Sequence, residues 1–152
     1  MSVNDIICAP ATPFVNSALA VIRVSGDGAL NLFEKSFSSY TKVSHGKAVY
    51  GKLSSNGRVL DELILSYFES PASFTGEDTV ELSYHGNPLI VKNIISFLVE
   101  SGARMAEPGE FSRRAFMNGK MDLTEAESVN ALICARSDWE INTALSQMHG
   151  SL

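Results

Sequence analysis

The stretch 79–102, TVELSYHGNPLIVKNIISFLVESG, decides the fold. Its first eight residues alternate, with Val80, Leu82 and Tyr84 set against Thr79, Glu81, Ser83 and His85. That period of two describes a strand with one apolar and one wholly polar side. From Pro88 the spacing changes to that of an amphipathic helix, predicted over 88–102 and closed by the glycine at 102. Upstream, DIICA (5–9) reads as a short strand ending at Pro10, and ALAVIRVSG (18–26) as a second β-rich run after the loop PATPFVNS. GDGALNLFEKSF (26–37) places Leu30, Phe33 and Phe37 at helical spacing, and 38–46 is polar and loop-like. KAVYGKLS (47–54) and RVLDELILSYFE (58–69) flank Asn56-Gly57, a strong hairpin signal. The loop SPASFTGED (70–78) then returns the chain to the opening strand.

Downstream, 103–107 is expected as a last short strand, and 110–117 as a short helix stopped by Asn118-Gly119. Nothing after 110 looks like a strand. Thr124 with Glu127, and Ser137 with Glu140, each fit a capping box and predict helices over 124–136 and 137–148. Strands followed by gathered helices give an α+β domain over 1–118 and a helical unit beginning at 119–152. The last helix carries Ile141, Leu145 and Met148 on one face. Either it lies back on the first domain, or its partners belong to sequence beyond 152.

The chain has 152 residues, enough for a core without disulfides or metal, and is 45% hydrophobic and 19% charged. Its net charge of −5 argues against bulk binding of nucleic acid, which needs clustered Lys and Arg. Cys8 and Cys134 form no CxxC pair, so neither a disulfide framework nor a zinc site is expected, and both read as buried thiols. No signal peptide or membrane-length apolar run is visible, and a cytosolic protein is expected.

Gly46–Leu53 nearly spells a phosphate-binding loop, but Leu53 stands where a hydroxyl must reach Mg²⁺ and no helix follows, so the motif is rejected. Arg23 lies on one strand face with Leu19 and Val21, where a guanidinium costs several kcal/mol unless paired. It is either a ligand contact or a structural residue that faces water or pairs with a carboxylate. Glu81, on the polar face of 79–86, can accept two parallel N–H bonds from a planar ligand edge, or be part of a solvated face. His85 is weaker evidence for a site. In PGEFSRRAFMNGKMDL (108–123), Lys120 is either a cation beside helix-terminal carbonyls or part of a basic pocket, and the roles of Arg113 and Arg114 stay open between structure and interface.

Taken together, ATP (11–13), IRVSG (22–26), SFTGED (73–78), HG (85–86) and PGEFSRRAFMNGKMDLTEAES (108–128) resemble, in order, the N-terminal region of the MnmE (TrmE) tRNA modification GTPases. The resemblance implies a mixed β-sheet with packed helices, similar to the folate-binding domain of the glycine-cleavage T protein. It further implies a cytosolic homodimer that binds 5-formyltetrahydrofolate or a related one-carbon tetrahydrofolate. With an FAD-containing MnmG (GidA)-type partner, the family modifies the C5 position of the wobble uridine of tRNA. GTP, Mg and K belong to a GTPase domain whose motifs are not in this chain, which therefore reads as a truncated piece without GTP hydrolysis. The family's folate contacts map onto Arg23, Glu81 and Lys120, with no catalytic or metal residue here. Two departures stand out: ATPFVNSALA lacks the usual Gly-Arg-Gly loop, and Asn87 replaces the second glycine of His-Gly-Gly. The alternative is a purely structural dimerisation module with a decayed ligand site.

Overall fold

A computed structural model describes residues 5–149. Among these, the strands are β1 (Ile7–Pro10), β2 (Ser17–Ser25), β3 (Ala48–Ser55), β4 (Arg58–Phe68), β5 (Thr79–Gly86) and β6 (Arg104–Met105). The helices are α1 (Pro88–Glu100), α2 (Glu110–Met117), α3 (Leu123–Cys134) and α4 (Asp138–Met148). The strands form one six-stranded sheet in the order β3-β4-β5-β2-β1-β6. All pairs are antiparallel except β1–β6, so the sheet is mixed and the fold is α+β.

The alternation in 79–86 sets the core. Val80, Leu82 and Tyr84 are buried against α1, whose Val91, Ile94, Phe97 and Leu98 face the sheet. Phe33 and Phe97 pack with ring centroids 6.0 Å apart. Asn87 caps α1, its side chain accepting from the Leu89 N–H at 2.8 Å, so the asparagine that departs from the family pattern starts the helix. At the other end Gly102 N–H reaches the Val99 carbonyl and Ala103 N–H the Leu98 carbonyl, a Schellman closure allowed by Gly102 at φ 115°. The expected glycine cap is therefore present, although the helix itself ends at Glu100. Asn56 and Gly57, at φ 52° and 76°, make the predicted two-residue hairpin turn between β3 and β4.

Three readings need correction. Residues 26–37 do not form an α-helix: a 3₁₀ turn spans Ala29–Phe33, after which Ser36 and Ser38 pair with β3. Phe37 bridges to Leu53, and this strand-like pairing overrides the helical spacing. The cap of α3 is Asp122, two residues before Thr124, accepting from Glu125 N–H at 2.7 Å. Cys134 is exposed, because it lies on the outward side of α3, whereas Cys8 is fully buried and burial pushes its thiol up to about 11. By contrast, Ser137 caps α4 as expected, and Glu140 reaches back to the Arg136 N–H. The last two helices fold back on one another, Ser128 of α3 meeting Gln147 near the end of α4. Residues 48–53 are strand, which agrees with rejecting the phosphate-loop match. No described helix is long and apolar enough to cross a membrane.

Candidate functional site

Strand register brings two of the three singled-out residues together. Arg23 on β2 lies opposite Glu81 on β5, both on the face turned away from Ile22, Val24, Val80 and Leu82. Arg23 donates from Nε and Nη2 to Glu81 Oε1 at 3.2 and 3.1 Å. Their side chains keep 26% and 31% of their surface, so the pair is shielded yet reachable. Two phenyl rings flank it: the guanidinium carbon of Arg23 lies 4.7 Å from the centre of Phe74 and 5.7 Å from that of Phe111. Such stacking orients the planar cation and lowers its hydration cost.

Arg23, Phe74 and Phe111 open into a cavity of about 600 Å³. The end of β1 (Ala9, Pro10, Ala11) forms one wall, the segment 106–112 another, and Val129 and Ile133 of α3 a third. Glu81 does not line the cavity. It holds the guanidinium that does. A mostly apolar cavity of this size with one fixed cation suits a flat organic ligand bearing a carbonyl or anionic group.

Lys120 is placed differently. The end of α2 closes as a second Schellman motif, with Gly119 N–H on Phe116 O and Lys120 N–H on Ala115 O. The Lys120 ammonium then donates to the Pro71 carbonyl at 3.0 Å, not to the helix carbonyls and not to the Arg23–Glu81 pair. Asn118 Nδ2 donates to Thr75 O at 2.8 Å. Phe74 thus sits in a loop fastened on both sides by the turn after α2. Gly76 (φ 82°) permits this approach, since a Cβ there would stand 2.9 Å from Asn118 Cβ and 3.1 Å from Lys120 Cγ.

His85 lies at the far end of β5, 67% exposed, with Nδ1 2.9 Å from Asp61 Oδ1. Gly86 beside it admits no side chain, because a Cβ would collide with the Ser17 backbone. The HG pair therefore has a packing reason.

Behind the cavity, α2 is held by a cluster of charges. Arg114, buried to 5% exposure, donates to the Asp5 carbonyl and carboxylate at 2.7 and 2.6 Å and to Glu77 at 3.1 Å. Arg104 makes a two-pronged bond to Glu110, at 2.9 and 2.6 Å, and also pairs with Asp5. The Arg104 guanidinium, helped by the Glu107 N–H against the opposing effect of burial, holds the Glu110 carboxyl down to about 2. Arg113 pairs with Glu107 at 3.2 Å in an exposed contact and adds a longer one, 3.7 Å, to Glu110. Loop 70–78 is fixed from inside as well: Asp78 accepts from Ser70 N–H, Tyr67 OH and, weakly, Gly28 N–H. Burial, then the Asp78 charge, pushes Tyr67 up to about 12, keeping it a donor.

Sequence reasoning missed Phe74 and Phe111. The signal was faint: one aromatic inside each of two polar, glycine-bearing segments, SFTGED and PGEFSRR.

The family model described as the GTP-binding protein TrmE N-terminus matches residues 6–120. A tRNA modification GTPase MnmE of Aquifex aeolicus is 48% identical over 147 residues, covering 96% of this chain and 33% of the relative. MnmE of Thermotoga sp. (strain RQ2) is 45% identical with 97% and 33% coverage, and that of Streptococcus thermophilus 41% with 97% and 33%. This chain spans about a third of the length of these curated relatives. The matched span carries β1 to β6 and α2, every element that builds the Arg23 cavity except α3, and the chain belongs to the TrmE N-terminal family.

Proposed function

We propose that this chain is the tetrahydrofolate-binding and homodimerisation domain of a tRNA modification GTPase. The parent protein would act in the cytoplasm, with an FAD-containing MnmG (GidA)-type partner, on C5 of the wobble uridine of tRNA. The observation that carries the ligand reading is Arg23, held by Glu81 and flanked by Phe74 and Phe111 in the lining of a mostly apolar cavity.

The residues fit such a group. The phenyl rings suit the faces of a conjugated heterocycle, and Arg23 suits a carbonyl or carboxylate. Glu81, outside the cavity lining, would serve first by aligning Arg23, and its second oxygen would accept from an N–H edge only where the ligand reaches past the guanidinium. Lys120 would release the Pro71 carbonyl to meet the anionic tail, an exchange of a neutral acceptor for a charged one. A bound one-carbon tetrahydrofolate supplies the carbon unit, and this chain's residues bind and orient it.

Calorimetric titration with 5-formyltetrahydrofolate tests the reading. Saturable binding that weakens at least tenfold in both Glu81→Ala and Lys120→Ala supports it. Absence of binding by the folded protein contradicts it. Dimerisation is supported by a separate feature: Leu19, Tyr50 and Ile64 line a second apolar hollow on the outer sheet face and are 62%, 61% and 39% exposed. The same face favours a second reading, a purely structural dimerisation module. That reading expects a dimer in sedimentation that Ile64→Asp disrupts, with no thermal protection by folate.

A further inference from the structure

One wall of the Arg23 cavity comes from outside the sheet. Val129 and Ile133 of α3 line it one helical turn apart, hence on one face. Ile133 is 76% exposed at the rim of this open, mostly apolar cavity, and Val129 is half-buried. Among the described residues of α3 the fully buried one is Ser128, while the apolar Val129 and Leu132 are only half-buried, so this helix is held loosely by apolar packing. Across the cavity stand Phe111 and the β1 end. An exposed isoleucine facing a ring-lined cavity is a contact surface waiting for an apolar body to fill the gap.

We propose that Val129 and Ile133 are ligand-binding residues, closing over the apolar midsection of a flat conjugated ligand whose polar end meets Arg23. Ligand binding and the docking of α3 and α4 against the sheet domain are then one linked equilibrium. The linkage is reciprocal: whatever seats α3 tightens binding, and the ligand seats α3. This inference rests on the folate reading of the cavity and extends it to the helical segment.

Two measurements on the whole chain test it, with 5-formyltetrahydrofolate as the probe. Hydrogen exchange is followed with and without saturating ligand, and Ile133→Ser is titrated beside Arg23→Ala. The expected results are at least fivefold slower exchange over 123–134 on binding, with α1 unchanged as control. Ile133→Ser should bind about tenfold more weakly, the scale of one buried aliphatic side chain. Because Ile133 is exposed without ligand, the variant keeps its fold, and the exchange measurement needs no variant at all. If wild type binds and Arg23→Ala does not, but Ile133→Ser matches wild type and α3 exchange is unmoved, this inference is overturned while the folate reading stands. No binding by wild type overturns both.

Discussion

Two arginine–carboxylate assemblies touch α2, one through Phe111 and one through Arg114, and they differ in what they leave unsatisfied. Arg114 is engaged at both terminal nitrogens: three carboxylates and one carbonyl accept from them, and its side chain is 6% exposed. Arg23 has a single carboxylate, two ring faces and an opening to a cavity. The first arrangement commits both terminal nitrogens to the fold and locks α2 to residue 5 and to the loop 70–78. The second is a partly desolvated cation at an open cavity, the arrangement that the proposed ligand role requires. Charge density alone does not mark a ligand site; the distinction lies in spare hydrogen-bonding capacity at an accessible place.

The comparison can be broken most forcefully at Arg114. Arg114→Ala leaves Glu77, Glu110 and Asp5 without their shared cation and should cost about 3 kcal/mol in urea unfolding, since truncating one partner of a buried ion pair costs 3–5 kcal/mol. A loss below ~1 kcal/mol would mean that the cluster is not structural. Acid should act on the same cluster. The folded-state carboxyl of Glu110 sits at about 2, below its ordinary 4.5, so its contribution is complete above pH 4.5 and disappears as pH falls through 2. Asp5, lowered chiefly by Arg104 against burial, moves in the same direction. Thermal stability should therefore fall between pH 4.5 and 2, on the order of 2 kcal/mol, and Glu110→Gln should flatten that slope.

On the cavity side the balance reverses. Arg23→Ala should change stability by less than about 1 kcal/mol, the scale of a half-exposed pair, yet weaken 5-formyltetrahydrofolate binding at least tenfold. The smallest effect on stability belongs to Lys120→Ala, which loses one exposed bond to Pro71, worth about 0.5 kcal/mol. A large loss of stability there would make Lys120 a clamp for the loop and not a ligand contact.

How far the sequence foretold these sites depends on the distance over which the signal acts. The strand 79–86 and the helix 110–117 were legible with their boundaries, because side-chain alternation and glycine stops are local. The hairpin at Asn56-Gly57 was legible for the same reason. The 26–37 segment was not: its spacing was helical, but distant pairing with β3 captured Ser36, Phe37 and Ser38. The Thr124 box competed with Asp122 two residues earlier, and only the backbone path chose between them. Arg23 and Glu81 could each be suspected singly, but their mutual pairing needed the β2–β5 register across 58 residues. The Arg114 cluster joins residues up to 109 apart, which no local pattern encodes. The two phenyl rings on Arg23 were hidden in the same way.

The most direct measurement follows the arginine side chains themselves. In an NMR titration with 5-formyltetrahydrofolate, the Nε–Hε signal of Arg23, assigned through Arg23→Lys, should shift and saturate while that of Arg114 stays in place. An unmoved Arg23 signal, or a shift at Arg114 alone, would contradict the assignment of the open arginine to the ligand and the closed one to the fold.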